Sequence, residues 1–412
     1  MCPLLILMHS SLSDPVCPAW SVVARLPVPA GRSTQIGVAG PFSGISGNAL
    51  IVAGGSNFPD KKPWEGGKKE YVDEVYILER RAIAAAASPK AGAAVSYKWY
   101  TATSFRLPQK LAYGASVTVP EGVLCIGGEN AGGYSKKVFL LHWASAGKQL
   151  HYKDLPDLPI PLANAGAALI GNTVYLAGGE NATRALASFF CLDLTHPTHW
   201  QTLRDLPVAL SHTAAVAVTA AADPGTGKTA HASLYLIGGR SKTASGISTL
   251  HNTVFHYDPS MRAWSQMHSI GDGAYPPDLA AANAVADDDG GILVIGGDDG
   301  RIFHELEALN VQLAATADDA LKRQLQRQKL AIIDHHPGFW RGILRYDPAQ
   351  DRWTQLGDLP MPAPVTTTAV RWDNVLVIPC GEVKPGTRSA DILLCDLQSL
   401  TTQANAAKSV QP

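Results

Sequence analysis

One pattern recurs along this chain and limits its folding more than any other: an apolar run that ends in two glycines. It occurs as LIVAGG (50–55), VLCIGG (123–128), VYLAGG (174–179), LYLIGG (234–239) and ILVIGG (292–297). A sixth copy, LVIPCG (376–381), has Cys380 in place of the first glycine. A second marker follows each doublet: polar residues, another apolar run, then a tryptophan or related residue and often Leu-Pro. YDPSMRAW (257–264) and YDPAQDRW (346–353) show it best, with YKWY at 97–100 and HPTHW at 196–200. Short runs rich in Val, Ile, Leu and Tyr, punctuated by Gly and Pro, read as strands. Repeating units of about four such strands are the sequence pattern of a β-propeller.

The doublet with its YDP…W tail resembles the kelch repeat. Counting doublets gives six blades, so the expected fold is all-β, a six-bladed kelch-type propeller forming a single domain over 1–412. The segment Trp20–Pro27 reads as an outer strand without inner partners. Three strands near 366–371, 375–381 and 392–397 read as a blade lacking its outer strand. The N-terminal strand is therefore expected to complete the last blade, which removes free sheet edges. Residues 304–333 contain no Gly or Pro and place Leu306, Leu309 and Leu313, then Leu321, Leu325 and Ile332, at helical spacing. They predict a helical insertion (302–338 at its widest) in the fifth blade, broken near Asp318, serving either as surface decoration or as a wall over the channel.

Bulk composition narrows the function. With 34 Lys+Arg against 35 Asp+Glu, the chain has no basic excess for nucleic acid. No run of 18 apolar residues predicts a membrane helix. The N-terminal MCPLLILMHSSLSDPVC lacks a basic n-region, so a cytoplasmic location is expected, or a periplasmic one if the start is misassigned. Cys2, Cys17, Cys125, Cys191, Cys380 and Cys395 form no CxxC pair and read as reduced, mostly buried thiols.

Several local matches do not carry their usual chemistry. DPGTGKT (223–229) has Ala222 where a phosphate loop needs glycine, and it precedes a strand instead of opening a helix. Asp287-Asp288-Asp289 lacks the alternation of a calcium loop and reads as a polar hairpin turn. His335-His336 lack a third ligand and read as solvated loop histidines. Asn181-Ala182-Thr183 is read as a chance glycosylation triplet, and no GxSxG elbow is present.

The segment GEVKPGTRSAD (381–391) strongly resembles the glutamate–arginine segment of bacterial sialic acid mutarotases, also called N-acetylneuraminate epimerases. GVAGPFSGISGNALIVAGGSNFP (37–59), KKPWEGGKKEYVDEVYIL (61–78), AYGASVTVPEGVLCIGGENAGG (112–133) and FWRGILRYDPAQDRW (339–353) fit the same family. Their order differs from that of its better-known members, as in a cyclically permuted branch; a closed ring keeps its constellation when the chain ends move.

The resemblance implies an isomerase that interconverts the α and β anomers of N-acetylneuraminate by acid–base ring opening and closure. It implies a small acidic sugar as ligand and no metal, nucleotide or redox cofactor. It gives no nucleic-acid or membrane partner and leaves a homodimer open. Glu382 is the expected proton-transfer group and Arg388 its cationic partner, suited to the sugar's carboxylate. The residues alone favour a surface loop with an incidental ion pair slightly over catalysis. Lys384 and the polar residues after other doublets, Asn57, Glu129 and Arg240 chosen among them, are candidates for substrate binding. A non-catalytic kelch interaction module and a mutarotase of another acidic or acetamido sugar remain the alternatives.

Overall fold

The computed structural model describes residues 20–82, 95–220, 231–273 and 278–402. Cys2, Cys17, the N-terminal stretch before residue 20 and the DPGTGKT segment lie outside them. Six four-stranded antiparallel sheets are arranged as the blades of a propeller. Blades 1 to 5 each run in chain order from inner to outer strand, beginning with Phe42–Ser46, Ala115–Val119, Gly166–Ile170, Ala214–Ala220 and Asn283–Ala286. Blade 6 contributes Val370–Trp372, Val375–Pro379 and Asp391–Asp396, and its outer strand is the N-terminal Ser21–Arg25, paired Ser21 to Leu394 and Arg25 to Asp391. The expected closure by the N-terminal strand is thus present. No helix among the described residues is long and apolar enough to cross a membrane.

The second strands of blades 1, 2 and 6, ALIVA (49–53), VLCI (123–126) and VLVIP (375–379), are buried end to end, because a neighbouring blade covers each face. Outer strands such as Gln149–Leu155 are largely exposed and polar. Each of six apolar clusters fills the interface between two adjacent blades. The one joining blade 6 to blade 1 packs Val375, Val377, Ile392 and Cys380 against Leu26, Val38, Leu50 and Val52.

The repeat markers now have physical causes. The first glycine of each doublet is left-handed, and a Cβ there would lie 2.2 Å from the Leu210 carbonyl oxygen in blade 3 and 2.1 Å from that of Leu279 in blade 4. The second glycine donates its N–H to that same carbonyl of the next blade, for example Gly179 to Leu210 at 2.8 Å. Cys380 keeps the left-handed geometry at φ 59°, and its side chain is buried in the blade 6–blade 1 core, not in a cleft. Burial pushes its thiol well up, and the Asp391 charge adds to this, so Cys380 is chemically quiet. In YDP…W, the Tyr and Trp are cross-strand partners, Tyr257 with Trp264 and Tyr346 with Trp353, with ring centroids 4.9 Å apart in both. The intervening Asp258 and Asp347 carboxylates accept turn N–H groups.

The insertion between Ile292–Gly297 and Trp340–Asp347 forms two helices, α1 (Arg301–Ala315) and α2 (Asp319–Asp334). Asp318 caps α2 by accepting the Ala320 N–H at 2.7 Å, which places the break where the sequence predicts it. The 287–289 turn is a hairpin as expected, and it is built around a buried ion pair, Asp287 to Arg345 at 2.6 Å. Asn181 accepts from Thr183 and Arg184 in a local turn. Cys125, Cys191, Cys380 and Cys395 are free and buried.

Candidate functional site

At one end of the propeller, equivalent positions of the blades converge on the axis. The residue after each doublet forms a short bridge to the start of its own blade: Ser56 with Ala39, Glu129 with Ala112, Glu180 with Ala163, Arg240 with Ser211, Asp298 with Ala280 and Glu382 with Val365. One residue beyond each bridge partner the chain turns left-handed, at Gly40, Tyr113, Asn164, His212, Ala281 and Thr366. Their backbones join blade to blade: Gly40 donates to Thr366, Tyr113 to Gly40, Asn164 to Tyr113, His212 to Asn164 and Ala281 to His212, at 2.7–2.9 Å. Two stacked rings of side chains are thereby fixed by backbone alone.

Above these rings lies a cleft of about 560 Å³, within the ~300–1,000 Å³ range of small-molecule sites. Its floor includes Tyr113, Asn164, His212 and Thr366 and its walls Glu129, Glu180, Arg240, Asp298 and Glu382. The helical insertion contributes Phe303, Leu306, Glu307 and Asn310 from α1 and Lys329 and Ile333 from α2, so it acts as a wall and not as surface decoration. Pro63, Trp64 and Lys69 close the side toward blade 1.

Glu382 and Arg388 face each other across a two-stranded ribbon. Glu382 Oε1 accepts the Gly386 N–H at 2.6 Å and the Arg388 guanidinium at 2.8 Å. The Pro385-Gly386 turn makes this possible by bringing the backbone N–H back over the carboxylate. Arg388 is only 5% exposed, lies 4.7 Å over the Phe58 ring, and is not among the cleft-lining residues. In this structure it is bonded to Glu382 and does not lie on the cleft surface, where the expectation had placed it on a sugar carboxylate. Lys62 ties this ribbon to blade 1, donating to Gly386 O at 3.3 Å and Thr387 Oγ1 at 3.1 Å. The two charged sequence stretches, 61–78 and 381–391, therefore touch across the joint between the first and last blades.

The remaining candidates divide. Glu129 lines the cleft and accepts from Lys69 at 3.0 Å and Tyr71 at 2.7 Å. Arg240 lines it too, 3.6 Å from Glu180 and 5.2 Å over the Phe303 ring, with its Nε buried and unpartnered. Lys384 is exposed and absent from the lining. Asn57 is also displaced: it bonds Gly37 O and lines a separate peripheral groove. The position equivalent to Glu129 and Glu382 is Ser56, whose hydroxyl meets that of Tyr113 at 2.7 Å. A one-residue offset on a strand turns the side chain to the opposite face. His336 is likewise corrected: it is buried, accepts the Gly338 N–H at 3.0 Å and lines the cleft, while His335 is exposed. Burial, helped by Lys384, lowers its pKa and keeps the ring neutral.

Residues that the sequence reading did not single out complete the site. A tripeptide marks the floor in every blade: Val38-Ala39-Gly40, Leu111-Ala112-Tyr113, Leu162-Ala163-Asn164, Leu210-Ser211-His212, Leu279-Ala280-Ala281 and Pro364-Val365-Thr366. Its third residue is the floor position, so the signal was available. Burial opposes ionisation of Glu180, but His212, the cations Arg240 and Lys242 and the Ser211 hydroxyl outweigh it and hold its carboxyl well below the usual range. His212 is driven down to about 3 by desolvation and by Arg240. Burial lifts the Asp298 carboxyl to about 6; the Gly300 N–H opposes this and Asp299 adds to it. Among the described residues no cluster of His, Cys, Asp and Glu has the arrangement to hold a metal.

Comparisons with known proteins agree with this architecture. The profile of the N-acetylneuraminate epimerase family matches residues 9–151 and 155–411. An N-acetylneuraminate epimerase of Haemophilus influenzae is 30% identical over 240 residues, 57% of each chain. One of Brucella melitensis is 29% identical over 267 residues, 63% of this chain and 62% of that protein. One of Vibrio cholerae is 39% identical over 134 residues, 30% of each. The matched regions thus span less than two thirds of these relatives' own length. The solved structure of YjhT aligns over 91% of this chain and 97% of that one, with a TM-score of 0.55 and 14% identity, a likeness of fold.

Proposed function

We propose a reaction for this chain, which belongs to the N-acetylneuraminate epimerase family: it interconverts the α and β anomers of N-acetylneuraminate by opening the sugar ring at its anomeric carbon and closing it on the other face. One observation carries the reading. Glu382 presents a carboxylate to the cleft with one oxygen fixed by the Gly386 N–H and Arg388, leaving Oε2 for a ligand. A carboxylate oriented in this way can take the proton of the anomeric hydroxyl as the carbon–ring oxygen bond breaks, and return it on reclosure. Arg388 acts through Glu382 as a positioning residue. The sugar's own carboxylate is met by two of the cations that line the cleft, Lys69 and Arg240. Arg240 has an unpartnered Nε, and its planar fork suits a carboxylate. Trp64, Phe303 and Phe339 supply the apolar surface that covers the ring.

The test is proton NMR of freshly released α-N-acetylneuraminate with wild-type protein, with Glu382→Gln, and without protein. Wild type is expected to accelerate appearance of the β anomer, and the variant to lose about 10²–10⁴ of that acceleration. Equal rates in all three samples would end the sialic acid reading. Repeating the assay with other acidic and acetamido sugars then decides between a different substrate and a binding module.

A further inference from the structure

Ring opening needs two proton-transfer groups, one for the anomeric hydroxyl and one for the ring oxygen, and Glu382 supplies one. Glu129, Glu180 and Asp298 are the other carboxylates at equivalent positions around the cleft. Glu129 is bonded to Lys69 and Tyr71. Glu180 receives Asn164 Nδ2 at 2.9 Å and Ser211 Oγ at 3.0 Å, with Arg240 and Lys242 beside it. Asp298 differs: its hydrogen bond comes from the Gly300 backbone N–H at 2.9 Å, and among the described residues no side-chain donor or salt-bridge partner reaches it. It also sits in the blade next to that of Glu382, at the same ring position, so both carboxyls flank one stretch of the cleft wall.

Resting on the reaction proposed above, we infer that Asp298 is the second catalytic residue, the acid that protonates the ring oxygen while Glu382 deprotonates the anomeric hydroxyl. As the carbon–ring oxygen bond breaks, its electron pair goes to the ring oxygen, which takes the Asp298 proton and becomes a hydroxyl. The anomeric O–H pair becomes the carbonyl bond, and its proton goes to Glu382. The open-chain ketone turns about the adjacent carbon–carbon bond. Closure then returns one proton from Glu382 to the carbonyl oxygen and one from the new hydroxyl to Asp298. Both carboxyls end as they began, and nothing is oxidised or reduced.

The electrostatics agree with this division of labour. Burial with few opposing charges raises a carboxyl's hold on its proton. Burial and Asp299 favour the protonated form of Asp298, while the Gly300 N–H, Arg240 from blade 4 and His304 from α1 oppose it, and the balance lies at about 6. His336 lines the same cleft and has its pKa lowered by burial. Glu180 and His212 lie too low to exchange a proton near neutrality.

The experiment measures anomer exchange by NMR against pH for wild type, Asp298→Asn and Asp298→Glu, with saturation-transfer NMR reporting whether each still binds N-acetylneuraminate. Asp298→Asn is expected to bind the sugar and lose about 10²–10³ of the catalysed rate. The wild-type rate should decline as pH rises through about 6, and the residual rate of Asp298→Asn should lack that decline. Asp298→Glu keeps a carboxyl and should recover part of the rate with its alkaline decline, which excludes misfolding as the cause. Activity of Asp298→Asn within about threefold of wild type overturns the assignment, as does a slower variant that keeps the alkaline decline. An active wild type with an unaffected variant sinks Asp298 alone. A wild type that fails to accelerate exchange sinks the reaction and this inference with it.

Discussion

A carboxyl that keeps its proton inside a protein destabilises the fold once it is forced to ionise, and Asp298 makes this measurable without any substrate. The folded chain raises this carboxyl from 3.8 to about 6. Between those values the native state holds a proton that the unfolded chain has released, so stability falls as pH rises through the window. At about 1.4 kcal/mol per tenfold in proton affinity, the ionised group burdens the native state by at most about 3 kcal/mol. Roughly 1 kcal/mol of this is already present at about pH 4.5, because the unfolded carboxyl has begun to ionise. Asp298→Asn keeps the shape and removes the charge. Its stability relative to wild type should therefore improve by about 2 kcal/mol between about pH 4.5 and about pH 8. Urea unfolding of both proteins at the two pH values, at equal m-value, reads the difference directly. A difference that stays flat or shrinks toward high pH would refute the argument, because it would mean that Asp298 ionises as freely in the fold as in the unfolded chain.

Other consequences concern the scaffold. Asp287→Ala removes the close partner of the Arg345 guanidinium, which is 4% exposed and bonded to Asp287 at 2.6 Å, and leaves it Asp347 at 3.7 Å; it should lower unfolding free energy by about 3 kcal/mol in denaturant melts. Survivors should retain their activity, since neither residue lines the cleft. Cys380→Gly relieves a left-handed non-glycine residue and loses a buried thiol, two effects of about 1 kcal/mol each and opposite sign. Its denaturation midpoint and its catalysed rate should both stay close to wild type. Deleting residues 20–27 removes the strand paired with Asp391–Asp396 and opens a sheet edge; light scattering and size-exclusion chromatography should show soluble aggregates or loss of soluble protein.

How far the sequence reached depended on whether an interaction repeats. Gly-Gly doublets, YDP…W hairpins and the leucine spacing of 304–333 each reflect a local constraint enforced in every copy or along one helix face. Blade number, closure by Trp20–Pro27 and the break at Asp318 could therefore be read directly. Glu382 and Arg388 were legible as a pair because six residues and one turn connect them. Legibility failed where burial or register decided the outcome. Asn57 is one position past its ring equivalent, and strand alternation sends it to another groove. His336, adjacent to the exposed His335, is buried against the Phe339 ring and lines the cleft.

The sequence by itself determined the architecture, because backbone geometry at the doublets and turns leaves few residue choices and writes them repeatedly. It also named the glutamate–arginine ribbon. Only the tertiary structure decided what each charged group does. Glu129, Glu180, Asp298 and Glu382 occupy the same place in their blades and look alike in the chain. Glu382 takes its partner from its own ribbon, but Glu129 meets Lys69 and Glu180 meets Arg240, each sixty residues away in a neighbouring blade, while burial with few opposing charges raises the Asp298 carboxyl.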